Sequence, residues 1–331
     1  MMKKSVRILF AIILILAAAY FVAAMVMVFL PEPTFATDPF PVSLSPTVVG
    51  EETTHFTMRD GADLFARRFP ADSDDTILLL HGVTADSSVF NQSAAMLRET
   101  SGAEVIAVDL RGHGQSDGAA GDVVYIGQYE DDVADIVTAV RTEKPNGRLI
   151  LAGHSMGGGI ALRFAQLADA PNVDGYLLFA PHLGANSPTM PKPQPENAEA
   201  AVAYTQLHLP RLIGLTMLNA VSIRGLNQQP TLFFNLPDET THTYSYRAMV
   251  NTSPSDYVAA LTAVDQPLFV VVGSQDEAFV ADQFPETVGQ FSDGEVVVVP
   301  GETHNGIYEN EAALVAVQTW LTEENLIAQT Q

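Results

Sequence analysis

The sequence predicts an α/β protein: a mostly parallel eight-stranded sheet flanked by helices, with an inserted helical cap and one membrane-spanning helix ahead of it. Three observations predict it. From residue 53 onward, short runs rich in Val, Ile and Leu alternate with stretches whose apolar residues have helical spacing. That alternation breaks once, from about Leu183 to Leu261, where no strong strand run stands. Residues 8–30 carry no charge over 23 positions, and ~20 apolar residues suffice to cross a hydrocarbon core as a helix.

The N-terminal run is a transmembrane signal anchor in this reading. Lys3, Lys4 and Arg7 precede it, and Pro31, Glu32, Pro33 and Asp38 follow it. The positive-inside bias puts the N-terminus in the cytoplasm and the remaining chain outside, in the periplasm or extracellular space. The alternative is a cleaved signal, with Ala23-Ala24 and Thr34-Phe35-Ala36 as cut sites and a secreted product. The chain has no cysteine, which excludes a lipidated-cysteine anchor and a disulfide framework. Residues 31–50 carry five prolines among small and polar residues and read as an extended linker.

Outside the membrane the charge is strongly negative: the first 30 residues hold three of the 16 basic residues and none of the 39 acidic ones, leaving −26. Such a surface repels nucleic acid, so a DNA- or RNA-binding role is set aside. Ordinary solvation of an exported protein accounts for the acidity.

Thr53–Met58 and Asp63–Phe69, joined across Asp60-Gly61, read as an antiparallel hairpin. Thr76–Leu80, Glu104–Val108, Arg148–Ala152, Gly175–Phe179, Pro267–Val272 and Glu295–Val299 are nearly continuous apolar runs, as expected of strands covered on both faces. Helical spacing occupies Ser88–Thr100, Gln128–Thr142, Met156–Leu167 and Glu311–Leu321. The chain then divides into a core at 51–182 and 262–329 and a cap at 183–261, which opens with Pro188, Pro191, Pro193 and Pro195 and continues through the apolar patch Leu207–Ala220.

Gly153-His154-Ser155-Met156-Gly157 fits G-x-S-x-G and lies between a strand and a helical run, the context that motif needs. A serine hydroxyl is a poor nucleophile until a base takes its proton, and that base must itself be oriented by a third group. Asp276 follows the strand PLFVVVG at its carboxyl end, where loops carry function; Glu277, Asp282 and Asp265 are its competitors, Asp265 at the wrong end. His304 follows the strand EVVVV by a short loop, whereas His208 and His242 fall in the insertion, His182 follows another strand and His55 lies in the hairpin. Acyl transfer also needs donors aimed at a developing oxyanion. The backbone N–H groups of Met156, first in its helix, and Val83, in the loop His81-Gly82-Val83-Thr84, are the candidates. No metal is expected, since no histidine and carboxylate cluster has ligand spacing.

Taken together, His81-Gly82, Asp109-Leu-Arg-Gly-His-Gly-Gln-Ser-Asp-Gly118, Gly153-His-Ser-Met-Gly-Gly158, Gly273-Ser-Gln-Asp276 and His304 make residues 51–325 resemble the α/β-hydrolase superfamily, in particular its monoacylglycerol lipase, lysophospholipase and serine aminopeptidase-like branch. The resemblance implies Ser155 as nucleophile, Asp276 as acid, His304 as base and Val83 and Met156 as oxyanion donors, without a cofactor. It also implies that Arg111 and His113 buttress the site rather than react. Serine at the elbow argues against the dehalogenase and epoxide-hydrolase branches, which have aspartate there. His-Gly-Val in place of His-Gly-Gly-Gly points away from the hormone-sensitive-lipase type.

The expected activity is hydrolysis of a small-molecule acyl ester, such as a monoacylglycerol or lysophospholipid, through an acyl-enzyme. The same triad serves an aminopeptidase, amidase or thioesterase, because fold does not settle the bond cleaved. A noncatalytic binding module on the same fold is the reading from another class.

Overall fold

The computed structural model describes residues 2–40, 51–192, 204–237 and 240–327. Part of the expected linker (41–50), parts of the cap (193–203 and 238–239) and the last two residues of the expected core (328–329) lie outside them.

An eight-stranded sheet forms the centre of the molecule. In chain order its strands are β1 (Glu52–Thr57), β2 (Asp63–Phe69), β3 (Thr76–Leu80), β4 (Glu104–Val108), β5 (Leu149–His154), β6 (Gly175–Phe179), β10 (Leu268–Gly273) and β11 (Glu295–Val299). Across the sheet the order is β1-β2-β4-β3-β5-β6-β10-β11. Only β1–β2 and β2–β4 pair antiparallel; β3 pairs parallel with β4 in the register Leu80↔Val108, and with β5 in the register Leu80↔Gly153. Every residue of β3, β4, β5, β6 and β10 is buried, which explains their unbroken apolar composition.

Helices α2 (Asn91–Ser101), α3 (Gln128–Glu143) and α4 (Met156–Ala165) connect the parallel strands in the first half, and the last helix (Glu311–Glu323) packs on α2 and β11. The ends of these helices are set locally. Gly102 adopts φ 69° to stop α2, and Asn310 accepts the N–H groups of Ala312 and Ala313 to start the last helix. All parallel strands thus point their carboxyl ends to one edge, where the loops after β3, β4, β5, β6, β10 and β11 gather.

The insertion is mixed rather than helical, which corrects the expectation of a helical cap. Besides α5 (Leu209–Ala220), short α6 (Tyr246–Met249) and α7 (Tyr257–Thr262), it holds a three-stranded antiparallel sheet of β7 (Thr205–Leu207), β8 (Pro230–Phe234) and β9 (Thr243–Ser245). Strands of three to five residues are too short to show a period of two in the sequence. A further helix, α1, spans Met2–Val28, and within it Lys4–Val28 is long and apolar enough to cross a membrane.

Candidate active site

The turn from β5 into α4 presents Ser155 with φ 52° and ψ −113°, a conformation costly for a residue with a Cβ. Glycine permits the turn on either side. A Cβ on Gly153 would lie 2.4 Å from the carbonyl carbon of Gly157, and one on Gly157 would lie 2.2 Å from Leu80 O. Ser155 remains 7% exposed in an otherwise buried neighbourhood.

The loops after β10 and β11 bring the other two predicted residues together. His304 Nδ1 donates to Asp276 Oδ2 at 2.9 Å, and the Asp276 side chain is fully buried. The other carboxylate oxygen accepts the N–H groups of Ala278 and Phe279, both at 2.8 Å, so the carboxylate is fixed before it orients anything. Asp276 and Glu277 are thereby told apart: Glu277 takes the backbone N–H of His304 at 3.0 Å and leaves the ring to Asp276. Asp282 lies in the short turn Ala281–Gln283, and no hydrogen bond or ion pair joins it to His304 among the described residues.

His304 is gripped on all sides. His154 Nε2 donates to its carbonyl at 2.9 Å, the His154 and His304 rings lie 4.7 Å apart, and Phe279 meets the ring edge-on at 5.2 Å. Since Nδ1 of His304 carries the proton given to Asp276, Nε2 presents a lone pair, the form that accepts a proton from a hydroxyl. Among the described residues no hydrogen bond joins Ser155 Oγ to that nitrogen; such contacts commonly tighten when substrate arrives.

The loop after β3 runs beside the serine: a Cβ on Gly82 would lie 3.4 Å from Ser155 Cβ and 3.1 Å from His154 Nδ1. The N–H groups of Val83 and Met156 have no acceptor among the described residues. Thr84, next in the loop, is held at φ 61° with its N–H donated to Tyr244 Oη at 2.7 Å. Tyr244 in turn donates to His113 Nε2 at 2.6 Å, because His113 Nδ1 gives its proton to Arg111 O. Tyr244 comes from β9 of the insertion, so this part of the site escaped the sequence reading; an aromatic in a three-residue strand offers no local signal.

Four histidines around the site are kept neutral by burial. Desolvation drives His113 down to about 3 and His182 to about 4, and lowers His81 and, well below its usual range, His154. Proximity to His304 adds to the effect on His154 and His182. The segment Asp109–Gly118 is structural. Asp109 accepts the N–H groups of Ser87 and Gln115, and Arg111 forms a two-pronged pair with Asp132 at 2.7 and 2.8 Å and a third contact with Asp60. Of the remaining sequence candidates, His55 lies in β1, and His208 and His242 stand in the insertion. Among the described residues no group of three or more His, Asp or Glu side chains is arranged to hold a metal ion.

The sequence profile described as "serine aminopeptidase, S33" matches residues 71–311. The chain is 28% identical to 2-(acetamidomethylene)succinate hydrolase of Mesorhizobium japonicum over 255 residues, 73% of this chain and 84% of that one. It is 30% identical to the monoglyceride lipase of Rattus norvegicus over 139 residues, 41% of this chain and 45% of that one. Three mycobacterial proteins are 38% identical over 103 residues, and there the chain spans only 28% of their length. Among solved structures, a membrane phospholipase A has a similar fold, with a TM-score of 0.58 and 19% identity over 96% of this chain and 99% of that one.

Proposed function

Because the chain belongs to the serine aminopeptidase, S33, family of α/β-hydrolases, we propose that it is a membrane-anchored serine hydrolase that cleaves a carboxylic ester through an acyl-enzyme. The observation that carries this reading is the Asp276–His304 pair at 2.9 Å, set at the same sheet edge as a serine on a strained turn. In the proposed reaction Ser155 Oγ attacks the ester carbonyl carbon while its proton passes to His304 Nε2. The C–O bond breaks, and the alcohol leaves with that proton. Water then attacks the acyl-enzyme, His304 taking its proton and returning it to Ser155, so that a carboxylic acid is released and the enzyme is restored. Asp276 holds the ring and stabilises it while charged. Val83 and Met156 N–H groups receive the negative oxygen of each tetrahedral intermediate.

A monoacylglycerol- or lysophospholipid-like ester is the proposed substrate. The partial similarity to monoglyceride lipase and the apolar anchor helix support this choice. We place the N-terminus in the cytoplasm and the hydrolase outside, from the three basic residues ahead of the helix. The family's description as aminopeptidases favours a second reading, in which the same residues cleave an amide.

The test is hydrolysis of p-nitrophenyl esters from acetate to palmitate by the full chain in detergent, with Ser155→Ala in parallel and aminoacyl p-nitroanilides as competing substrates. Ester turnover lost in the variant is the expected result. Turnover confined to the anilides would replace the esterase reading with the peptidase one.

A further inference from the structure

The anchor helix does not leave the membrane as a free tether. Its covered positions form one stripe, Ala24 and Val28 buried and Tyr20, Ala23 and Met27 half-buried, and this stripe packs on α5 of the insertion. The two helices run antiparallel. Tyr20 Oη donates to Met217 O at 2.7 Å, Gly214 faces Ala24 and Val28, and Arg211 Nε donates to Val28 O at 2.8 Å. A Cβ on Gly214 would lie 2.6 Å from Ala24 O, so glycine is what lets the backbones approach. Arg211 is buried, and with contacts to Leu30 O and Glu32 it caps the end of α1 where water would otherwise do so. The chain beyond stays attached, Asn235 binding Thr37 and Phe40 N–H binding Asn235 O.

This pairing fixes where the bilayer meets the insertion. From Tyr20 to Val28, its last residue, the helix rises ~12 Å, more than a third of a ~30 Å hydrocarbon core, and α5 lies beside that length. The side of α5 turned away from α1 carries open apolar residues: Leu209 is 54% and Ile213 42% exposed. A second open apolar tip, Val124 to Ile126, is tied to Arg247 of α6 through Val124 O, and Tyr246 of that helix packs against α5. Charge agrees. In a chain with 39 acidic residues, none occurs from 200 to 237, and the only charged residues there are Arg211 and Arg224.

We infer that α5 enters the leaflet on the catalytic side together with the Val124–Ile126 tip, making the insertion an interfacial membrane element with lipid acyl chains as its partner. The inference rests on the reading of α1 as a membrane span. The absence of cysteine makes the test direct: full-length chain carrying Ile213→Cys, Val22→Cys or Val315→Cys is labelled with an environment-sensitive fluorophore and reconstituted in phosphatidylcholine vesicles containing nitroxide-labelled lipid. Val22 lies on the open side of α1, and Val315 lies on the open side of the last helix. Expected are a blue shift and lipid quenching at position 213 comparable to those at 22, and neither at 315. Quenching at 22 without quenching at 213 overturns the inference and leaves the anchor standing. No quenching at 22 overturns both. A blue shift at 213 without lipid quenching marks burial against a second copy of the chain and also overturns it.

Discussion

The central sheet and the insertion are built on opposite terms. Around β5, β10 and β11 the proposed catalytic residues hang from strand ends, and their loops are closed by short contacts within the core, such as Asp276 with Ala278 and Phe279 or Glu277 with His304 N–H. In the insertion the buried polar groups reach across long sequence distances to an otherwise isolated helix, as Arg211 does to Val28 and Leu30. The core is thus positioned by its own backbone ladder, and the insertion by what it leans on. The two touch at several places, Arg247 with Asp122 and Asn251 with Arg163 among them, and Tyr244 is the one next to the site, through Thr84 and His113.

The largest expected effect lies wholly in the core. Ser155→Ala should lower kcat on a p-nitrophenyl ester on the order of 10⁵-fold with the fold unchanged by circular dichroism. Asp276→Asn should cost about 10⁴-fold by offering the wrong partner to His304 Nδ1, whereas Glu277→Gln keeps an acceptor for a backbone N–H and should cost no more than about tenfold. Equal losses from the two would show that the carboxylates share the role.

Next in size is the contact between regions. Tyr244→Phe strips the acceptor from the half-buried Thr84 N–H and the donor from the buried His113, and should cost ~2 kcal/mol in denaturant unfolding. In the proposed mechanism it should also lower kcat by about tenfold with little change in KM, as the Val83 loop loses its support. An unchanged kcat would mean that the insertion does not reach the oxyanion donors.

Acid should weaken the core by a smaller margin. His113 is buried neutral, its affinity for protons pushed down to about 3 by desolvation, while in the unfolded chain it titrates near ~6.5. Between these values the unfolded state binds the extra proton, so the stability from this group is complete above ~6.5 and is lost as pH falls toward 3; at pH 5.5 the loss is about 1.4 kcal/mol. Chemical unfolding of the wild type and of His113→Gln at pH 7.5 and 5.5 would show it as a smaller pH response in the variant. The smallest effect on the core belongs to Gly214→Val: α1 and α5 should separate, exposing residues 31–40 to protease, while unfolding of the sheet shifts by less than ~0.5 kcal/mol. A larger shift would show that the two regions fold as one.

The sequence by itself determined the eight strands, their order of alternation with helices, the elbow around Ser155 and the loops holding Asp276 and His304. All of these are written in short-range signals: an apolar run, a glycine that a tight turn requires, a residue's place just past a strand. Tertiary structure decided the rest. The sequence puts Asp276 forward with Glu277 beside it as a competitor, and the packing of two loops gives one the ring and the other the backbone N–H. Strands β7, β8 and β9 are too short to announce themselves, and the pairing of α1 with α5 depends on one glycine and one arginine nearly two hundred residues from the helix they grip. Contacts at that separation leave no period in the chain, because they are chosen by which surfaces meet once the core has formed.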